Sequence, residues 1–251
     1  MDIALLWLVP SVFLIAVLYS SVGHGGASGY LAVLSLASGA LIPAHMATTA
    51  LTLNLLVAGL GMVAFARAGH FIGRLTWPFL LASIPAAFLG GLTPVSAHVY
   101  AVLLAVSLAI AAYRLLMTSA RRDAGAVNPP PMGAALPVGG GIGWLSGVVG
   151  VGGGIFLSPL LLLLRWATPK QAAASSACFI LANSAAGLAG RFARGAIEYG
   201  SLWPLLIAAA AGGLVGSRLG ANHFSGAALK RLLAVVLFVA SFKLLRMAMT
   251  G

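Results

Sequence analysis

Val22-Gly23-His24-Gly25-Gly26 and Val149-Gly150-Val151-Gly152-Gly153 are two glycine clusters set in an otherwise apolar chain. Each cluster precedes an apolar run, 29–38 or 155–166, which is too short to cross a hydrocarbon core of about 30 Å as one helix. In lipid every backbone N–H and C=O needs a partner, so a glycine break is tolerated only inside protein or beside a cavity. The two clusters therefore predict broken or re-entrant membrane helices.

The composition around these clusters is that of a membrane protein. The 251 residues are 61% hydrophobic and only 7% charged, whereas soluble domains have about 25% charged residues. Fourteen Lys and Arg residues give a net charge of +11, but they stand mostly singly between apolar runs, which favours lipid headgroups over nucleic acid as their partner. The single cysteine, Cys178, excludes an intrachain disulfide scaffold. We predict an all-α polytopic membrane protein with about eight transmembrane helices. Its apolar segments are 3–21, 29–38, 43–65, 76–92, 97–117, 134–149, 155–166, 169–191, 202–219 and 227–249.

Landmarks recur along the chain at an offset of 126 or 127 residues. Besides the two clusters they are Ile42-Pro43 with Thr168-Pro169, Thr48-Thr49 with Ser175-Ser176, Phe65-Ala66-Arg67 with Phe192-Ala193-Arg194, and Trp77-Pro78 with Trp203-Pro204. This order indicates a duplication. We predict an N-terminal repeat at 1–117, a polar Pro-rich linker at 118–133 and a C-terminal repeat at 134–251, each repeat having four helices with the first one broken. The distribution of Lys and Arg leaves open whether the repeats are inverted or parallel.

The two breaks have the chemistry of an anion site. A helix N-terminus leaves about four N–H groups unpaired and carries partial positive charge, and glycines let that backbone approach a ligand closely. Two such ends at equivalent places in two halves are a pointer to a transporter binding site. The alternative is that the glycines permit tight helix packing, as we expect for Gly212, Gly216 and Gly220.

Polar side chains near the breaks are further candidates. Hydroxyls early in the next helix of each half could donate to the same anion or bond back to their own helix. Two asparagines deeper in those helices fit anion contacts or interhelical hydrogen bonds, and His24 could donate to the anion or titrate. The predicted substrate-binding residues are Gly23, His24, Gly25, Gly26, Ser28, Thr48, Thr49, Asn54, Gly150, Val151, Gly152, Gly153, Ser175, Ser176 and Asn183. Arg67 and Arg194, at helix ends, fit either headgroup anchors or a gate or vestibule that attracts anions.

No carboxylate lies inside a predicted span, although cation carriers and proton relays usually place one there. This favours an anion as the substrate. One cysteine and dispersed histidines form no ligand cluster, so we expect no metal and no cofactor.

Two stretches resemble a known family. Residues 149–164 (VGVGGGIFLSPLLLLL) with Pro169 and Ser175-Ser176 resemble the sulfite exporter TauE/SafE family, also called TSUP, and 22–36 followed by 42–49 carry the motif more loosely. The resemblance covers most of the chain. It implies an eight-helix, two-repeat carrier of sulfite, sulfonates or related sulfur compounds. Its motif falls on Gly23, Gly25, Gly26, Thr48, Thr49, Gly150, Gly152, Gly153, Ser175 and Ser176.

The functional hypothesis is a secondary transporter, not an enzyme, that moves a small sulfur-containing anion across the cytoplasmic (inner) membrane by alternating access. Its expected partners are the small anionic substrate and the lipid bilayer; a homodimer is left open, and no nucleic acid is expected. One alternative is a passive anion channel. The other is an intramembrane serine protease, because Gly26-Ala27-Ser28-Gly29 would supply Ser28 as nucleophile.

Overall fold

A computed structural model describes residues 3–37, 43–93, 130–195 and 202–225, together with Tyr113 and several positions between 227 and 242. Regular structure in the four continuous ranges is helical throughout, and the helix ends lie within three residues of the ends of the predicted apolar runs. The helices are α1 (Ile3–Ser21), α2 (Ala27–Ala37), α3 (Pro43–Arg67), α4 (Gly73–Leu92), α5 (Met132–Val149), α6 (Gly154–Leu163), α7 (Pro169–Ala193) and α8 (Trp203–Arg218), followed by a π-helical turn at Leu219–His223.

Some predicted segments lie outside the described residues. They are most of the linker at 118–133, almost all of 97–117 and most of 227–249. The all-α prediction is confirmed for the described ranges, whereas the total of about eight transmembrane helices stays a prediction.

The two longest helices, α3 and α7, each begin at a proline. Pro43 and Pro169 occupy the first turn, where a missing N–H leaves no hydrogen bond unmade. The start of α7 is also capped: the backbone N–H of Gln171 donates to the Thr168 hydroxyl at 3.4 Å, and the Gln171 side chain accepts from the Thr168 N–H at 2.9 Å. These signals explain why the beginning of α7 was predictable to the residue.

The surface and interior have the polarity that a bilayer requires. Five of the described helices are long and apolar enough to cross a membrane: α3 from Thr48, α4, α5, α7, and α8 with its π-helical turn. Large apolar side chains face outward, with Leu14, Leu81 and Ile207 each about 60% exposed. Serine, threonine and asparagine side chains are buried inside. An apolar exterior around a partly polar interior is the arrangement expected in lipid.

The two short helices pack against different neighbours. In the first half, Ser28 at the start of α2 bonds to Tyr19 of α1, and Gly29 packs against Ile15, so α2 runs antiparallel to α1. In the second half, Gly153 packs against Ser146 of α5 before α6 begins, and α6 then packs along α7. Whether these short segments re-enter or complete a crossing stays a prediction.

Helices α3 and α7 cross at the centre of the described fold. Gly61 of α3 lies near Ala177 of α7, and Leu51 lies near Gly187. Since an early residue of one helix meets a late residue of the other, the two helices run antiparallel. The middle of both helices is therefore held at the same depth, beside the two glycine clusters.

Two further helix pairs pack closely through glycine. Gly216 of α8 lies directly against the carbonyl of Val17 in α1, and Gly90 of α4 lies against the carbonyl of Trp144 in α5. Gly212 and Gly220 repeat the α1–α8 contact one turn to either side, as expected of packing glycines. In each pair, later residues of one helix contact later residues of the other. Helix α1 therefore runs parallel to α8, and α4 runs parallel to α5.

Candidate functional site

The first break, residues 22–26, separates α1 from α2. The chain leaves α1 through a bond from the His24 N–H to the Tyr19 carbonyl at 2.8 Å. Gly23 and Gly26 have φ values of 76° and 95°, which lie in the left-handed region that side chains with a Cβ rarely adopt. Gly23 also lies directly against the backbone of Ala173 in α7. Backbone conformation therefore favours glycine at both positions, and the close approach of α7 requires it at Gly23.

The second break, residues 150–153, separates α5 from α6. Gly150 closes α5 with φ of 81°, and its N–H donates to the Ser146 carbonyl at 2.9 Å. Gly153, with φ of 77°, precedes α6, and no side chain caps this helix N-terminus. The N–H of Phe156 donates to the Gly153 carbonyl at 3.1 Å, so the donors that this helix start presents are the N–H groups of Gly154 and Ile155.

Asn54, in the middle of α3, connects the two breaks. Its Oδ1 accepts from the N–H of Ala27, the first residue of α2, at 3.2 Å. Its Nδ2 donates to the Ser184 hydroxyl at 3.0 Å and, more weakly, to the Val151 carbonyl at 3.5 Å. One buried side chain thus contacts the backbone on both sides, and the structure brings the two clusters within hydrogen-bond reach of a single amide.

Two of the predicted glycines make room for that amide. A Cβ on Gly25 would overlap Oδ1 of Asn54, and a Cβ on Gly152 would overlap its Nδ2. The amide is therefore held between one glycine of each break. The helix N-termini differ in consequence: α2 is capped by Asn54, whereas the α6 terminus has Ile180 beside Gly154.

A second chain of polar contacts runs from the first break into α7. His24 Nε2 lies 2.9 Å from the Ser158 hydroxyl of α6, and that hydroxyl lies 2.5 Å from Ser176 of α7. All three side chains are at most 2% exposed. His24 and Ser176 are thereby brought together, although 152 residues separate them in the chain.

The space between the breaks is narrow. A cavity of about 10 Å³ is lined by Tyr19, His24, Gly25, Gly26, Ala27, Ser28, Asn54, Val151, Ile155 and Ile180. That volume is about enough for one water molecule. The conformation is closed, and an anion with several oxygens would require the lining to move apart.

Other predicted residues lie away from this cavity or have other partners. Ser175 accepts a hydrogen bond from Thr76 of α4 at 2.9 Å and so faces away from the breaks. Thr48 and Thr49 are buried about one and a half turns before Asn54 on α3. Asn183 is fully buried, and neither its Oδ1 nor its Nδ2 has a hydrogen-bond partner. The interhelical bond that we considered for an asparagine thus exists at Asn54 and not at Asn183.

The serine proposed for protease chemistry is bonded to a tyrosine. The Ser28 and Tyr19 hydroxyls lie 3.1 Å apart, while Nε2 of His24 is engaged with Ser158. Within the described ranges no three His, Cys, Asp or Glu side chains are grouped closely enough to hold a metal ion.

The two predicted gate residues lie at helix ends. Arg67 ends α3 and Arg194 follows the last residue of α7; both are exposed, and because α3 and α7 are antiparallel they point to opposite ends of the helix pair. Arg67 and Arg218 line a groove of about 270 Å³ between α3 and α8. The groove therefore has two arginines at the end of the helix pair where α3 ends.

Three residues of the site region were missed from sequence. Ser158 and Ser184 are ordinary serines in apolar helices, and only their contacts with His24 and Asn54 distinguish them. Arg191 is one of the fourteen Lys and Arg residues for which the sequence favours lipid headgroups as partners, yet its side chain is only 5% exposed. The one signal for Arg191 was its position inside the predicted apolar run 169–191 rather than after it.

Comparison with known proteins places the chain among membrane transporters. The model of the family described as "Sulfite exporter TauE/SafE" matches residues 8–244. The chain is similar to the "Probable membrane transporter protein y4hK" of Sinorhizobium fredii (strain NBRC 101917 / NGR234), with 37% identity over 248 residues, which is 98% of this chain and 100% of the relative. No solved structure matches the chain significantly. The matched region contains both breaks and Asn54.

Proposed function

The chain belongs to the sulfite exporter TauE/SafE family of membrane transporters, and from that premise we propose that it is a secondary transporter of a small sulfur-containing anion. The anion would be sulfite, an organosulfonate or a similar oxyanion, and the location the cytoplasmic membrane. Transport rather than catalysis is the proposed activity. The observation that carries the proposal is the meeting of two glycine breaks at Asn54, because it concentrates backbone and amide donors at one buried place.

The proposed site uses donors that differ between the two breaks. The α6 N-terminus supplies backbone N–H groups that no side chain caps, together with the partial positive charge of a helix start. The amide of Asn54 and the hydroxyls of Ser184 and Ser176 would be the side-chain donors near this helix N-terminus. At the α2 N-terminus, Oδ1 of Asn54 occupies the acceptor position that an anion oxygen would take. Binding would then displace this amide, and alternating access would supply the additional volume.

Contacts related by the sequence offset support two inverted repeats. Gly216 against Val17 and Gly90 against Trp144 are the same contact when one half is shifted by 126 or 127 residues onto the other. Leu51 with Gly187 and Gly61 with Ala177 are likewise related. The equivalent helices α3 and α7 run antiparallel, which makes the proposed repeats inverted. Inverted repeats with broken helices suit a carrier in which one half rocks against the other.

The first test replaces one glycine of each break. Gly25→Ala and Gly152→Ala should each weaken sulfite binding by about tenfold or more, since the added methyl group would occupy the space around the Asn54 amide that the anion must enter. Binding to the detergent-purified protein is measured by calorimetry with sulfite, sulfoacetate, sulfate and chloride. Gly61→Ala is the matched control, because its Cβ would sit at an ordinary 3.6 Å from Ala177. Unchanged binding in both break variants would refute the site.

A flux measurement separates a carrier from a channel. In proteoliposomes, uptake of labelled sulfite by a carrier saturates and is accelerated by unlabelled sulfite on the opposite side. Linear uptake without counter-transport stimulation would favour the passive anion channel.

A further inference from the structure

Arg191 is the only lysine or arginine side chain that is buried within the described ranges. It lies in the last turn of α7, and its Nη2 donates to the carbonyl of Val148 at 2.9 Å and to that of Gly147 at 3.4 Å. Both carbonyls belong to the last turn of α5. The guanidinium thus lies against the helix end at which the second break begins.

The α5 carbonyls engage only part of this guanidinium. The C-terminus of a helix carries partial negative charge and stabilises a nearby cation. Yet Nε of Arg191 is buried and has no hydrogen-bond partner. A buried cation with unused donors is unfavourable unless further acceptors satisfy them. Nη2 reaches Gly147 only at 3.4 Å, so exchanging this long bond would free one of its two hydrogens. The edge formed by Nε and that hydrogen would then have the fork geometry that binds two oxygens of an oxyanion.

Small residues around Arg191 allow the helices to approach it. Gly187, one turn earlier on α7, contacts Gly147 of α5, and Gly190 lies directly against the carbonyl of Phe88 in α4. The side chain is therefore enclosed by α4, α5 and α7 and not directed toward lipid. Arg194, three residues later on the same helix, is exposed. Headgroup anchoring explains Arg194 but not Arg191.

We propose that Arg191 is a binding residue for the transported oxyanion, which it contacts through the Nε–Nη2 edge on the α7 side of the second break. This inference rests on the proposed function and adds a fixed positive charge to a site otherwise made of neutral donors. The ligand class is a small oxyanion with at least two oxygens on one face, such as sulfite or sulfate. Chloride, which has no pair of oxygens to match the fork, gains less from it.

The test compares Arg191→Lys with Arg74→Lys in the purified full-length protein, because Arg74 is exposed near the start of α4 and has no part in the proposed site. Lysine keeps the charge and can still donate to the α5 carbonyls, but it loses the two-pronged geometry. The dissociation constant for sulfite, measured by calorimetry, should rise by about tenfold in Arg191→Lys, and Arg191→Met should raise it further. It should change by less than about twofold in Arg74→Lys. Chloride binding should change less than sulfite binding in Arg191→Lys.

Each contrary result overturns a distinct statement. If the unaltered protein binds sulfite and Arg191→Lys binds it equally well, the Arg191 inference is wrong while the proposed function stands. If Arg191→Lys lost sulfite and chloride affinity equally, the proposed binding of two oxyanion oxygens by the Nε–Nη2 edge would also be wrong. Failure of Arg191→Lys to fold while Arg74→Lys folds would assign Arg191 a purely structural role. Absence of binding by the unaltered protein to any of the anions would refute the proposed function itself.

Discussion

The contrast between Asn54 and Asn183 shows how one residue type takes different roles at similar depth. Both side chains are at most 1% exposed. Asn54 forms three hydrogen bonds that join the two breaks, whereas both polar atoms of Asn183 lack partners. A buried amide without partners is destabilising, so Asn183 contributes less to folding than its burial suggests.

This contrast predicts opposite effects of the same substitution. Asn54→Leu should lower the free energy of unfolding by about 2–4 kcal/mol, since it leaves the Ala27 N–H and the Ser184 hydroxyl unpaired. Asn183→Leu removes no hydrogen bond and should leave that free energy within about 1 kcal/mol or raise it. Denaturation in mixed micelles measures both. Similar losses for the two variants would contradict the assigned hydrogen bonds.

At the scale of elements, glycines rather than large side chains set the closest helix contacts. Gly216 and Gly90 each lie against a backbone carbonyl of the neighbouring helix. Without a hydrophobic driving force between helices in lipid, such close approach is how packing is achieved.

An added methyl group should therefore separate these helices. Gly216→Ala and Gly90→Ala are each expected to lower the free energy of unfolding by about 1–3 kcal/mol, and by similar amounts if the two contacts are equivalent. Gly141→Ala is the control on α5, because no atom lies within 4 Å of its Cβ position. It should be neutral or slightly stabilising. If Gly141→Ala lowered the free energy of unfolding as much as the other two variants, the loss would come from replacing a helical glycine as such and not from the close helix contacts.

The sequence predicted the elements better than their directions or contacts. Prolines 43 and 169 and the glycines of the breaks are local signals, so the helix ends were predictable. The directions of α2 and α6 depend on the helices against which they pack, α1 for α2 and α7 for α6, and no local signal encodes those partners. Arg191 resembled an interfacial anchor because its burial is produced by Gly187 and Gly190 together with helices far away in the chain. Ser158 acquires its role only from the fold that brings it to His24.

At the scale of the whole molecule, the antiparallel crossing of α3 and α7 bears on the relation between the two proposed repeats. The ends of these helices, near Ala68 and Arg194, are 126 residues apart, which is the offset of the predicted repeats. They lie at opposite ends of the crossed pair. In a bilayer they would face opposite compartments.

Site-directed labelling tests this arrangement. Ala68→Cys and Arg194→Cys, each made in a Cys178→Ser background, should react with a membrane-impermeant maleimide added to opposite sides of the membrane. Intact and inside-out vesicles provide the two sides, and permeabilised vesicles control for reactivity. Labelling of both positions from one side would mean that the repeats are parallel.

The Asn54 carboxamide has a direction as well as a location. Its oxygen faces an N–H of α2 and its nitrogen faces a C=O of the second break, so a half-turn of the group would bring donor to donor and acceptor to acceptor. The amide therefore has one stable orientation, dictated jointly by two segments distant in the chain. Aspartate could satisfy only the first of them and lysine only the second, so among these side chains a neutral amide alone serves both ends at once.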